Sequence, residues 1–210
     1  MRVRAVLSAI GTIGCLTVAV QAGGAAVVAG PPVVPPQIIE HALACTAVPF
    51  WLQQATPIET LRDDAPGAAA FFYPYNHTIY LKASSYLRDA HGWNIPRIAM
   101  VLGHEYGHAF QRIAAPAGSP AWKQFERLTP GFENVPVGVR SYQAWRNNRA
   151  EAFAEAYRLI FGGTGAAFDA LVPLSVTPAM RAYFQALDAS MPGAGRGAGG
   201  HTTICRADVT

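Results

Sequence analysis

In the stretch VLGHEYGHAFQ, His104 and His108 stand four residues apart and Glu105 directly follows the first. Residues i and i+4 of a helix stack on one face, so both imidazoles can reach one ion while Glu105, about a quarter-turn round, borders it. Two imidazoles and a neighbouring carboxylate are the parts of a hydrolytic zinc site: two ligands and a proton acceptor. A catalytic zinc takes three protein ligands, so a third donor must come from another part of the chain. The extended motif with a third histidine requires glycine at 111 and histidine at 114, where this chain has Gln111 and Ala114. His77, His91 and His201 fall in a turn, just before Gly92 and in a Gly/Ala-rich tail, and read as surface residues. The best-placed oxygen donors are Glu151 and Glu155 in RAEAFAEAYRLIF, again four apart on one face of a helix otherwise largely apolar or alanine. One can bind the ion while the other accepts the free N–H of a ligand histidine, and spacing alone permits either order. The competing arrangement is a solvated face on which Glu155 pairs with Arg158.

HEYGH followed by a helix of the form E-x-x-x-E is similar to the gluzincin metallopeptidases, and AEAFAEAYRLI resembles the anthrax lethal factor catalytic-domain family. FFYPYNHTIYL ahead of VLGHEYGHAFQ is similar to neutral zinc metallopeptidases of bacteria. The resemblance covers roughly residues 70 to 162, with specific motifs and weak intervening sequence. It implies an α+β, zincin-like domain that hydrolyses peptide bonds of a peptide or protein substrate. By it, His104, His108 and Glu151 hold Zn²⁺, Glu105 is the general base and Glu155 hydrogen-bonds a ligand histidine. Such a zinc lowers the pKa of a water to about 7 and shares the oxyanion charge, and no covalent intermediate is needed. The family also carries a tyrosine shortly before the ligand glutamate that donates to the oxyanion. Ser141-Tyr142 resembles that position, but Tyr142 lies further from Glu151 than the family spacing, with Trp145-Arg146 inserted; a plain loop tyrosine is the other reading.

Several elements must position these residues. Asn94 and Pro96 open a helical pattern through Ile98, Val101, Leu102 and Phe110 to about Ala114, stopped by Pro116-Ala117-Gly118. Gly103 and Gly107 each cost that helix about 1 kcal/mol relative to alanine, which close approach of another segment beside the site would offset. Asn147 or Asn148 caps the second helix, which Gly162-Gly163 ends. Residues 69–73 and 78–81, joined by Pro74-Tyr75-Asn76-His77, read as a β-hairpin, with Thr78–Leu81 a candidate edge for an added peptide strand. Residues 38–54 have helical pattern broken by Pro49, Ser119-Pro120 starts a short helix, 129–145 reads as loop, and Thr177-Pro178 caps a last helix.

The ends of the chain suggest export. Arg2 and Arg4, an apolar run to Val20 and small residues around Ala22 read as a signal peptide over residues 1–22. Residues 23–37 read as an unpacked Pro/Ala/Gly-rich linker, 38–190 as the catalytic domain, and 191–210 as a flexible tail anchored by Cys205. Losing the two leader arginines brings the sixteen basic residues close to balance with the thirteen acids, so charge argues for no nucleic-acid partner and no stable membrane association. The mature chain would keep two cysteines, Cys45 and Cys205, and in an oxidising compartment these are expected to pair. The expectation is a secreted bacterial zinc endopeptidase. The alternatives are a zinc hydrolase of cell-wall peptide and a non-catalytic secreted zinc-binding protein, and retention of Glu105 argues against the latter.

Overall fold

The computed structural model describes residues 33–61, 68–136 and 141–192. Two short helices come first, α1 (Pro36–Ala44) and α2 (Phe50–Ala55). Pro49 does interrupt the helical pattern, but it also serves as the N-cap of α2, a position where a missing N–H costs nothing. The unpacked linker expected over 23–37 needs correction at its C-terminal end: Val34 is fully buried and Pro36 already belongs to α1. Residues 23–32 of that linker and the expected signal peptide, residues 1–22, lie outside the described residues.

Strands β1 (Ile58–Leu61), β2 (Ala70–Tyr73) and β3 (Thr78–Lys82) form a sheet in the order β1-β3-β2. The expected hairpin is present, β2 antiparallel to β3 with Phe72 opposite Ile79, and His77 closes its turn at φ +58°. The expected edge is not. β1 pairs parallel to β3 in the register Ile58–Ile79, which makes β3 the central strand, and Ile79 and Leu81 are fully buried. The sheet's edge strands are β1 and β2. A two-residue ladder, β4 (Arg88–Asp89) with β5 (Gly92–Trp93), then leads into α3 (Ile95–Ala114).

Asn94 caps α3 as expected, its side-chain oxygen accepting from Arg97 N–H at 3.1 Å, and Pro96 occupies the first turn. α4 (Pro120–Leu128), α5 (Tyr142–Arg146), α6 (Arg149–Phe161) and α7 (Pro178–Ala189) follow, capped by Ser119, Ser141, Asn148 and Thr177. α5 falls inside the segment expected to be loop, because Ser141 Oγ accepts from Ala144 N–H at 3.0 Å and starts one helical turn. The architecture is mixed α+β, with the helices outweighing the small sheets. No helix among the described residues is long and apolar enough to cross a membrane.

Helices α3, α4, α6 and α7 meet in a cluster of aromatic rings. Phe153 of α6 lies 4.7 Å from Phe184 of α7 and 4.8 Å from Phe125 of α4, and Phe110 of α3 lies 4.9 Å from Tyr157 of α6. Each fully buried ring contributes about 1.5–3 kcal/mol by leaving water, and together they fix α3 against α6. The two helix-interior glycines explain how closely those helices approach. A Cβ on Gly107 would sit 2.5 Å from Ala154 Cα and 2.6 Å from its carbonyl oxygen, and one on Gly103 would sit 3.2 Å from Arg158 Cγ. Gly107→Ala must therefore move backbone rather than a side chain. It is expected to cost about 2 kcal/mol, read as a fall in melting temperature of roughly 4–8 °C for a domain of this size. An unchanged melting temperature would show that the contact is not tight in solution.

Cys45, at the end of α1, is buried, and Cys205 lies outside the described residues, as does the tail from residue 193. A Cys45–Cys205 bridge would close most of the domain and stabilise it by about 5 kcal/mol at most in the chain-entropy model. Non-reducing mass mapping of protein made in an oxidising compartment is expected to recover the linked peptides. Two alkylatable thiols would exclude the pairing.

Candidate metal centre

His104 and His108 project from the middle of α3, and Glu151 from the first turn of α6. One ligand atom from each lies within 4.8 Å of the others, so the group could hold a metal ion. Glu151 Oε2 is 3.1 Å from His104 Nε2 and 3.5 Å from His108 Nε2. Donors about 2.0–2.1 Å from a tetrahedral ion stand roughly 3.4 Å apart, so both separations suit a shared cation. The convergence depends on the Gly107–Ala154 approach, which brings the first turn of α6 alongside the histidine face of α3.

The two glutamates have different surroundings, which spacing could not distinguish. Glu155 is fully buried and accepts four hydrogen bonds: from His104 Nδ1 at 3.1 Å, Arg158 Nε at 3.0 Å, Arg158 Nη2 at 2.7 Å and Leu171 N–H at 2.6 Å. Its oxygens are fully engaged, and holding His104 by Nδ1 directs Nε2 of the ring toward Glu151. The arrangement posed as a competitor, a Glu155–Arg158 pair, exists together with the histidine bond rather than in its place, and it is buried rather than solvated. Arg158 is itself fully buried, and its guanidinium also donates to the carbonyls of Gly165, Phe168 at 3.2 Å and Asp169 at 3.1 Å. This arginine was legible only as an i,i+3 partner. The segment that folds over it, from the short 3-10 turn Gly163–Ala167 to Leu171, carries no periodic signal.

The electrostatics favour positive charge at the centre of the group. Burial by itself would push the His104 pKa down, but hydrogen bonds to Glu151 and Glu155 and the negative charges of Glu105 and Glu151 together outweigh it and raise it to about 10. Burial likewise works to raise both glutamates, yet His108 and His104 hold Glu151, and His104 and Arg158 hold Glu155, well below the usual carboxylate range.

A cleft of about 990 Å³ opens over the group, and His104, Glu105, His108 and Glu151 all line it. Its opposite wall includes Ala70, Phe71 and Phe72 of β2. Glu105 Oε2 accepts from Phe72 N–H at 2.8 Å, so this carboxylate sits between α3 and the edge strand β2. Tyr142 is not brought to the group: it is 65 % exposed on α5, its ring 6.0 Å from that of Trp145 and 5.6 Å from the Arg146 guanidinium. The short helix turns Tyr142 to solvent and places Trp145 in the cleft wall instead. His77 hydrogen-bonds Thr56 Oγ1 at 3.2 Å and His91 stands exposed in a turn, as expected of residues outside the site; His201 is outside the described residues. No protein-family model matches this chain, and neither does any curated protein or solved structure.

Proposed function

We propose that this chain is a secreted zinc endopeptidase with a zincin-like fold. One observation carries the reading: a three-donor group and a separate carboxylate, Glu105, line the same cleft beside an open strand edge. A structural zinc site would close its fourth position with another histidine or cysteine and would have no use for Glu105. Among the described residues the group has three members, which suits a catalytic site.

His104, His108 and Glu151 would hold the ion, and its net charge falls to about +1 through the single carboxylate. Zinc, when bound, supplies a Lewis acid that acidifies water and polarises the scissile carbonyl. Glu105 takes a proton from the attacking water and returns it to the leaving amine, which its place in the cleft lets it reach from either side of the reaction. Glu155 keeps the His104 ring oriented through Nδ1, and Arg158 keeps Glu155 oriented. The substrate lies extended along the outer edge of β2, the role that sequence pattern assigned to Thr78–Leu81, where its main chain is held by strand addition.

The test is metal content together with hydrolysis. The exported protein is expected to carry one zinc per chain, to cleave unstructured protein such as reduced casein, to lose activity on chelation and to regain it on adding zinc. A chain that binds zinc but cleaves neither casein nor murein peptide is not a hydrolase of this kind.

A further inference from the structure

Beyond the His/Glu group and Glu105, the charged residues lining the cleft among those described are two, and both are arginines: Arg97 and Arg112. They stand on α3 on either side of the histidines, and neither has a carboxylate partner among the described residues. The Arg97 guanidinium stacks over the Phe168 ring at 5.4 Å, which holds its head group in place while leaving its N–H fork unpaired. Its location is also unfavourable for the fold alone. Arg97 lies in the first turn of a helix with no acidic residue there, where the helix dipole opposes a cation. A half-buried, stacked and unpaired arginine facing a cleft is suited to receive a carboxylate from outside.

Resting on the peptidase reading above, we propose that Arg97 and Arg112 make the cleft selective for acidic peptide segments. With a divalent ion bound, Glu105 and Glu151 balance its charge, and among the described residues the two arginines are the charges on the cleft lining left unbalanced. At about 1.5 Å per helical residue they stand roughly 13 Å and 9 Å along α3 from the midpoint of the histidine pair. At about 3.3 Å per extended residue, and given the reach of an arginine, each would meet an Asp or Glu side chain roughly two to four residues from the bond cleaved, one on each side. Between them the apolar walls, Phe72, Met100 and Trp145, suit uncharged bulky residues.

The experiment uses the zinc-loaded protein and internally quenched peptides blocked at both ends, alike at the centre and flanked by Asp/Glu, Asn/Gln or Lys/Arg. The acidic set is expected to be cleaved about tenfold better in kcat/KM than the amide set, through KM, and the advantage should shrink as salt screens the two arginines. Arg97→Gln should bring the acidic-to-amide ratio down to about twofold. Arg112→Gln, at an exposed position, should lower it less, and Arg97→Glu should reverse the order of acidic and basic sets. An amide-flanked peptide with a free C-terminal carboxylate separates the two sources of the anion: if it alone matches the acidic set, the arginines read a chain end and the proposal is wrong. Equal cleavage of acidic and amide sets, or a preference untouched by both arginine variants, overturns the proposal and leaves the peptidase reading standing. If no peptide is cleaved, the peptidase reading fails, and fluorescence anisotropy of the same peptides on the zinc-loaded protein decides the charge preference by itself: about tenfold tighter binding of the acidic set supports it, and equal affinities overturn it.

Discussion

Glu105→Gln is expected to keep one zinc per chain and to lose about 10²–10⁴-fold in kcat, the typical contribution of a positioned general base. The substitution preserves the shape of the side chain, and its amide oxygen can still accept from Phe72 N–H, so the wall between α3 and β2 should stay in place. Glu105 is not a member of the metal group, which comprises His104, His108 and Glu151, so the ligand set is untouched. What disappears is the proton acceptor. Metal content by elemental analysis, melting temperature and turnover on one quenched peptide separate these consequences. Unchanged zinc and melting temperature with turnover nearly abolished is the expected result. Turnover equal to that of the parent chain would remove Glu105 from the mechanism, and simultaneous loss of zinc would mean that it helps to hold the ion.

What could be read from sequence was what short-range pattern encodes. Asn94, Pro96 and the apolar positions after them define α3, and Gly103 and Gly107 imply the close approach of another segment because a helix tolerates interior glycine poorly; that segment is α6. Asn148, Ser119 and Thr177 mark helix starts through the same capping chemistry. The elements that escaped depend on non-local pairing. IETL, the four residues of β1, has too few positions to show a period, and only its parallel pairing with β3 makes it a strand and takes β3 off the sheet edge. Tyr142 faces solvent and Trp145 lines the cleft because one turn of helix capped by Ser141 decides which ring faces it. Arg158 illustrates the same limit: its spacing from Glu155 suggested a surface pair, and its burial is created by residues 163–171, which reach it only through the tertiary fold.

Glu151 and Glu155 should fail in different ways when altered, because one is the proposed metal donor and the other the centre of a buried ionic network. Glu151→Ala removes a direct bond and a neutralising charge from the ion, so zinc is expected to be lost on dialysis against a mild chelator. The fold should largely survive, since Glu151 lies on the cleft wall and its ion-pair partners are the two histidines. Glu155→Ala leaves the three donors but strands the fully buried Arg158 guanidinium without its counter-charge, a change that costs about 3–5 kcal/mol, and it frees Leu171 N–H as well. Its first consequence is therefore a fall of roughly 6–20 °C in melting temperature. Glu155→Gln keeps the side-chain volume but also removes the charge opposite Arg158 and turns one accepting oxygen into a donating amide, so a fall in melting temperature is expected here too, alongside an about 10–100-fold loss of zinc affinity with zinc still bound at excess metal. Competition titrations with a chromogenic chelator, run beside thermal melts, give both readouts for each variant. Should Glu151→Ala hold zinc as tightly as the parent while Glu155→Gln loses it, the two roles are reversed. Should both retain parental affinity, the third donor is neither glutamate, and the group formed with His104 and His108 is not the one that binds the ion.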